Sequence, residues 1–488
     1  MKSILLLLVS VLFITTTACS FDTSGLRGDL SDSGMDDADV SDSGIDITDS
    51  IDITDSSSDV DSDIDGGTQC PVGARQCIDN FTLRVCSEDG EWETENCAEG
   101  CNSDTSPPSC LVFIPSNGLT RDVLAVPGTG HWEISETVYF NTDNGEIYTE
   151  SGTVRPAGEG IDLESGILFF SHSMMDGRNA GVFAALTITV TETGTLRGVG
   201  SQPAVLTAET IIIRGIIDVS GGSWACNYNN ERCAGPGGFA GGDTNNDGEG
   251  PGKGSEGNEA WDKDETGAGG AGYGVKGAKG GGSTGGSGGS IYGTAENEPL
   301  LGGSGGGGGG HYEIGNDNPG EGRGGGGGGA IQVTAFGMLN IGNTGGTEAG
   351  IKASGQGGSG NSRYVNSGGG GGGSGGAIVI EAPFIQLYPG SLITANGGGG
   401  GAGRNGADGA VGLFSAEAAP GASCSDCNAG GNGAALNSPS ATEGSNSEGG
   451  DGTGGGGGGY GRITIRNCIE FISVCTVSPA PFLAGCHY

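Results

Sequence analysis

Basic residues are scarce in this chain of 488 residues: 20 Lys and Arg stand against 59 Asp and Glu, giving a formal net charge of −39. Nucleic acids and anionic lipid surfaces both reward stripes of Lys and Arg. Neither fits as a partner, whereas cations and basic surfaces do. Aromatic residues are 6 % of the chain. The four histidines, His131, His172, His311 and His487, stand in unrelated contexts and each reads as a surface residue rather than a base. No stretch has the periodicity of a long amphipathic helix. Nor does a Gly-x-Ser-x-Gly elbow occur in a strand-turn-helix setting, and the many Gly-x-Gly-x-x-Gly matches have no βαβ pattern around them. The longest N-terminal apolar run, Ile4 to Ile14, falls short of the ~20 residues that cross a bilayer.

That run follows Lys2 and precedes small residues, which is the pattern of a secretory signal over 1–18. Thr16-Thr17-Ala18-Cys19 resembles the lipobox of bacterial lipoproteins, with Thr16 where that pattern usually has Leu. The resemblance implies that Cys19 becomes the lipidated first residue of the mature chain, a membrane anchor built from several acyl chains. Ser20 follows where the family's inner-membrane sorting signal has aspartate, so the outer membrane or cell surface is the implied destination. Residues 22–66 hold fifteen aspartates, one arginine and no aromatic. Such a segment cannot bury enough apolar surface to offset its ordering entropy, and 19–66 reads as a disordered tether. The repeat Ile-Asp-Ile-Thr-Asp-Ser at 45–50 and 51–56 suits a spacer; loose cation binding by its aspartates is the other reading.

Fourteen cysteines in an exported chain point to disulfides. Six fall within residues 70–110: Cys70, Cys77, Cys86, Cys97, Cys101 and Cys110. A segment so short needs bridges in place of a core, and the connectivity stays open. Val85 to Glu93 reads as a hairpin turning at Asp89-Gly90. Trp92 beyond that turn is a candidate stacking platform for a sugar ring, or else a cover for the disulfides. The segment resembles small cysteine-rich modules found beyond the tether in bacterial surface proteins. Cys226 and Cys233 read as a disulfide that closes a surface loop, and Cys424 with Cys427 reads as a loop disulfide rather than a zinc or redox site. Cys468, Cys475 and Cys486 stand near the C-terminus. With Cys19 lipidated, thirteen remain, an odd number.

The rest of the chain sets 109 glycines against short β-branched segments. The segment starting at Gly375, Gly-Gly-Ala-Ile-Val-Ile-Glu-Ala, matches Gly-Gly-Ala-Ile-Gln-Val-Thr-Ala from Gly328 and, more loosely, stretches from Ala204 and Leu186. Each copy offers a first strand (Ala377 to Glu381), a second (Phe384 to Leu387) and a third (Leu392 to Ala395); a last first-strand is Gly461 to Arg466. Short strands repeated this way resemble rungs of a parallel β-solenoid. Inward positions would include Ile378, Ile380, Ile385, Leu387 and Ile393, above Ile331, Val333, Leu339 and Ile341. Glycine tracts follow the third strands and should leave from one edge. As flexible linkers they would be random coil. An unstructured excursion of order 100 residues, 221–329, is however improbable in a compact domain. Glycine without Cβ can instead pack extended strands or left-handed three-residue helices at very close approach. These tracts resemble the glycine-rich domains of some surface receptors and of mycobacterial glycine-repeat proteins.

The expected fold is therefore all-β: a right-handed parallel β-solenoid-like domain over 186–467 with long glycine-rich loops. A β cap over 111–185, the disulfide module over 70–110 and the tether precede it, and a Cys-containing segment, 468–488, follows. Asp243, Asn245, Asp247 and Glu249 have the spacing of the first half of a Ca²⁺ loop. The twelfth position is Gly254, so an Asx-rich turn competes with the metal reading and no other cofactor is implied. Outward strand positions carry Glu381, Arg214, Arg462 and Arg466 without a recurring acid pair. The organisation resembles that of glycine-rich surface lipoproteins of soil and marine bacteria. It implies a non-enzymatic structural or adhesive surface protein, contacting a surface polysaccharide or another surface protein. A polysaccharide lyase or hydrolase on the same solenoid, and a Ca²⁺-dependent binding module, are the alternatives.

Overall fold

The computed structural model describes residues 70–79, 82–97, 100–103, 106–110, 113–119, 130–222, 234–258, 265–311, 322–343, 345, 348–360, 367–404, 406–423, 427–446, 452–467 and 472–485. Cys19 and the tether, Cys226, Cys233, Cys424, Cys468 and Cys486 lie outside them. All regular structure among the described residues is β, with no helix.

At the N-terminal end β1 (Arg75–Asp79), β2 (Thr82–Cys86) and β3 (Trp92–Asn96) form an antiparallel sheet, and β4 (Cys101–Asn102) pairs with β5 (Ser109–Cys110). The β2–β3 hairpin turns where Gly90 takes a φ of 78°, a conformation glycine adopts without a Cβ clash. The bridges are Cys70–Cys86, Cys77–Cys101 and Cys97–Cys110. Apart from cysteines the module buries little, chiefly Leu83. Each bridge stabilises by roughly 2–4 kcal/mol, more than this core can replace. Mild reduction is therefore expected to remove amide-exchange protection from 75–96 while the large sheet described next keeps its own. Retained protection in 75–96 would contradict this.

The second sheet has 18 strands. In chain order they are β6 (His131–Ile134), β7 (Thr137–Asn141), β8 (Ile147–Thr149), β9 (Gly152–Arg155), β10 (Gly160–Ile161), β11 (Leu168–Ser173), β12 (Asn179–Ala184), β13 (Thr187–Val190), β14 (Thr195–Val199), β15 (Ala204–Ile213), β16 (Ile216–Asp218), β17 (Ala330–Ile341), β18 (Ala349–Lys352), β19 (Ala377–Ala382), β20 (Phe384–Thr394), β21 (Arg462–Asn467), β22 (Ile472–Ser478) and β23 (Phe482–Gly485). Their parallel pairings fall into three columns. The first runs β12, β15, β17, β19, β21, β23. The second runs β6, β13, then the far halves of β15 and β17, then β20 and β22. The third runs β7, β14, β16, β18, and the later halves of β20 and β22. Parallel stacking thus begins at β6, inside the segment read as a cap; β8 to β11 pair antiparallel and cover that end. The expected second and third strands of the Gly375 copy are one strand, β20, whose pairing to β22 shifts register between Leu387 and Ser391.

Alternation decides which side is core. Ile331, Val333, Leu339 and Ile341 of β17 stack on Ile378, Ile380, Ile385 and Leu387, and with Ile393 they all belong to one buried cluster. The last four column-three strands, β16, β18, β20 and β22, are each closed by a buried polar residue, Ser220, Ser354, Asn396 and Ser478, and glycine follows the first three at once. They form a ladder in which Ser354 N–H donates to Ser220 Oγ (2.9 Å) and Ser478 Oγ donates to Asn396 Oδ1 (2.6 Å). Asn396 Nδ2 in turn holds the carbonyls of Leu413 and Ser415. The ladder marks one edge, from which the chain leaves three times, over 219–329, 353–376 and 395–461, before re-entering column one at β17, β19 and β21.

The glycine tracts pack. Within Gly368–Gly376 the N–H groups of Gly368, Gly371 and Ser374 donate to the carbonyls of Gly310, Gly307 and Ser304; those of Gly369, Gly372 and Gly375 to Thr453, Gly456 and Gly459; those of Gly370, Gly373 and Gly376 to Ser359, Gln356 and Ala353. Carbonyls repeat the pattern: Gly369 and Gly372 accept from Ala268 and Ala271, Gly370 and Gly373 from Gly401 and Gly398, Gly371 and Ser374 from Gly325 and Gly328. The period is three, as in an extended polyproline-II-type helix. Six segments therefore surround this one. A Cβ on Gly369, Gly370 or Gly371 would lie 2.1, 1.9 or 2.0 Å from the carbonyl oxygen of Gly401, Arg323 or Gly269, each a different neighbour. Only glycine fits where every direction is backbone.

Candidate functional site

The outer face of column one carries the densest buried polar group. Because Ile331, Val333, Ile378, Ile380, Ile463 and Ile465 point into the core, the alternate residues Gln332, Thr334, Glu381, Thr464 and Arg466 face the other way. Register puts Thr334, Glu381 and Arg466 in one row across β17, β19 and β21. Two chain segments cover that row. Residues 113–119 lie over β17 and β19, held by Phe113 and Leu119 in a second apolar cluster with Val205, Ala330, Phe336 and Val379; the Phe113 and Phe336 rings meet edge to face at 6.2 Å. Residues 292–301 lie over β21, where Asn297 Nδ2 donates to Thr464 Oγ1 (3.0 Å) and Thr464 Oγ1 to the Ala295 carbonyl (2.9 Å).

Glu381 is fully buried. Its carboxyl accepts from the Ser116 N–H at 3.2 Å to each oxygen, from Thr334 Oγ1 at 2.9 Å and from Gln332 Nε2. Asn117 Nδ2 completes the group through Gln332 Oε1 (3.1 Å). Burial pushes the Glu381 carboxyl above the usual carboxylate range, against the pull of Arg466 and of the Thr334 and Ser116 donors. Arg466, 1 % exposed, donates from Nη2 to Glu298 (2.8 Å), while its Nε and Nη1 make no hydrogen bond to a described residue. Sealed beneath two straps, Glu381 reaches no solvent. The chemistry open to it is to hold residues 113–119 on the sheet. In the sequence alone Glu381 and Arg466 stand as scattered outward charges. Aligning Ala-Ile-Val-Ile-Glu with Arg-Ile-Thr-Ile-Arg would have placed them side by side.

The residues singled out in the sequence lie elsewhere. Trp92, half-buried in β3, stands directly opposite Cys86 and so beside the Cys70–Cys86 bridge. The Arg84 guanidinium lies 4.4 Å from its ring centroid and also donates to Gln76 Oε1. In the Asp243–Glu249 stretch, Asp243 pairs with Arg323 (3.2 Å) and Asp247 with Lys253 (2.8 Å), whose ammonium and the Glu256 N–H hold the Asp247 carboxyl low. Asn245 exchanges bonds with the backbone of His311, accepting its N–H (2.7 Å) and donating to its carbonyl (2.8 Å). Asn245 takes a φ of 61°, as Asx turns allow. Glu249 is exposed and faces a separate cleft. Among the described residues no group of three or more His, Cys, Asp or Glu converges as metal ligands do. His311, expected at the surface, is 7 % exposed. Cys427 is disulfide-bonded; Cys424, its expected partner, is outside the described residues. No protein-family model matches the chain, no curated protein matches it in sequence, and no solved structure matches it in fold.

Proposed function

We propose that the chain is a lipid-anchored, non-enzymatic protein of the outer membrane or cell surface. Cys19 carries the anchor, residues up to 66 the tether, and the ectodomain serves a structural or adhesive role toward surface glycans or neighbouring surface proteins. Its sheet is read as a right-handed parallel β-solenoid with three strands per rung; the three in-register parallel columns support that reading. The observation that carries the function is the glycine bundle. Its interior backbone groups bond one another in six directions, which makes a rigid block almost without side chains, suited to spacing and displaying surfaces rather than to assembling reactive groups. The part-exposed Gln76–Arg84–Trp92 strip on the disulfide module is one such surface.

The test has two readouts. Cys19→Ser is expected to move the protein from the outer-membrane fraction to the soluble one, with the wild type protease-accessible on intact cells. The soluble Cys19→Ser chain is expected to sediment with insoluble polysaccharide or whole bacterial cells. Wild type in the soluble fraction, or no sedimentation with either target, would overturn the reading. Release of unsaturated or reducing sugar ends would replace it with a lyase or hydrolase.

A further inference from the structure

A cleft of about 500 Å³ opens where three elements meet: the turn between β11 and β12, the loop between β14 and β15, and the start of the first glycine excursion. Its size is within the ~300–1,000 Å³ usual for ligand pockets. Arg178 and Asn179 line it from the first element, Gln202 and Pro203 from the second, Phe239 and Glu249 from the third.

The walls are fixed by backbone. Asp143 accepts the N–H groups of Ser201 (2.8 Å) and Gln202 (3.1 Å), and the Pro203 carbonyl accepts Gly181 N–H (2.9 Å). Phe239 donates to Gly303 O and accepts from Gly327 N–H, which ties that wall to the bundle. Gly237, at φ 73°, lets the chain pass so close to Pro203 that a Cβ would lie 2.8 Å away. A site held this way loses little freedom on binding.

Three of the polar groups, by contrast, keep unspent capacity. Gln202 Oε1 accepts from Ser171 Oγ (3.3 Å), which leaves its amide NH₂ to donate. The exposed side chains of Asn179 and Glu249 bond to no described residue. Arg178 is pinned by Asp176 and reaches the Leu300 carbonyl. A carboxylate acceptor, a two-way amide, an amide donor and a guanidinium thus converge beside the half-buried Phe239 and buried Pro203. Vicinal hydroxyls, each both donor and acceptor, match such a set, and the C–H face of a pyranose suits the apolar wall. Asp176 already neutralises the one cation, Arg178, so the Glu249 carboxylate of the lining weighs against an anionic ligand. The net −39 of the chain repels polyanions at low salt.

We infer that this cleft binds a neutral oligosaccharide. The inference rests on the surface-glycan reading above and names its site. The test is calorimetric titration of the full soluble Cys19→Ser chain with hexasaccharides of glucose, mannose, N-acetylglucosamine and galacturonate. At least one neutral probe is expected to bind more tightly than galacturonate. Glu249→Gln and Gln202→Ala should each weaken binding tenfold or more with unchanged melting temperature, and Glu133→Gln, on the exposed face of β6, should not. Equal affinity in the cleft variants and the parent would overturn this site while leaving a glycan-binding protein. Binding of no neutral probe, or preference for galacturonate, would overturn it too; sedimentation with whole cells then decides separately whether the adhesive role survives.

Discussion

Gly371→Val is expected to destabilise the protein by about 3 kcal/mol or more, with Gly371→Ala close behind. Overpacking a tight interior usually costs ~1–3 kcal/mol, because some side chain can give way. Here the obstruction is backbone, the Gly269 carbonyl oxygen at 2.0 Å and its carbon at 2.5 Å. Moving that segment also disturbs the bond from Gly371 N–H to Gly307 and the one Gly371 accepts from Gly325. Denaturant midpoints would show the loss, and amide exchange should localise it to 266–272, 304–310 and 322–328. A Gly371→Ala chain that melts like the parent would mean that these tracts do not pack as described. Gly73→Ala is the control: φ is 79° with nothing within 4 Å of the added methyl, so only the local backbone cost of ~1 kcal/mol remains.

Glu381→Leu should cost about 3–5 kcal/mol, the range for removing one member of a buried charged group. It strands the Ser116 N–H and Thr334 Oγ1 donors, leaves Gln332 Nε2 only its bond to Thr334 Oγ1, and leaves Arg466 with only the partly exposed Glu298. Residues 113–119 should then become open to proteolysis. The isosteric Glu381→Gln separates charge from packing. The Glu381 carboxyl is raised by burial, so the folded chain keeps its proton to higher pH than the unfolded one. Between the two values the native state binds more protons, and stability falls with rising pH. The contribution is whole below the ordinary carboxylate range of ~4.3 and is lost as pH climbs through the raised value. The glutamine variant has no such proton. Wild type should lose stability relative to it as pH rises, and a difference that is flat or widens in favour of wild type would refute this.

What could be read in the sequence was whatever side chains encode. Ile378, Ile380, Ile385, Leu387 and Ile393 were assignable to the core because alternation in a strand leaves one choice of face, and the repeat from Gly328 supplied the stacking partner. The exit of the tracts from one edge followed from their place after the third strand, and the buried ladder from Ser220 to Ser478 gives the physical reason. The lattice itself carried no pattern. Glycine has the same chemistry in a random coil and in a six-neighbour bundle, and the partners of Gly371 are Gly307 and Gly325 rather than anything periodic nearby. Glu381 misled for a related reason: alternation reports which way a residue faces, not that residues 113–119, from 265 positions earlier, will cover it. The cleft was invisible because Arg178, Gln202 and Glu249 share no motif.

The three-residue repeat of the bundle makes the length of a glycine tract count modulo three. Add one residue upstream of Gly371 and every later N–H swings about 120°, away from Gly307 and toward a segment that already has its own donors. Add three and each group meets the same neighbour again. Tracts of this kind can lengthen or shorten only in triplets, much as a coding frame does, and a single-residue indel inside 367–376 should be as damaging as a side chain.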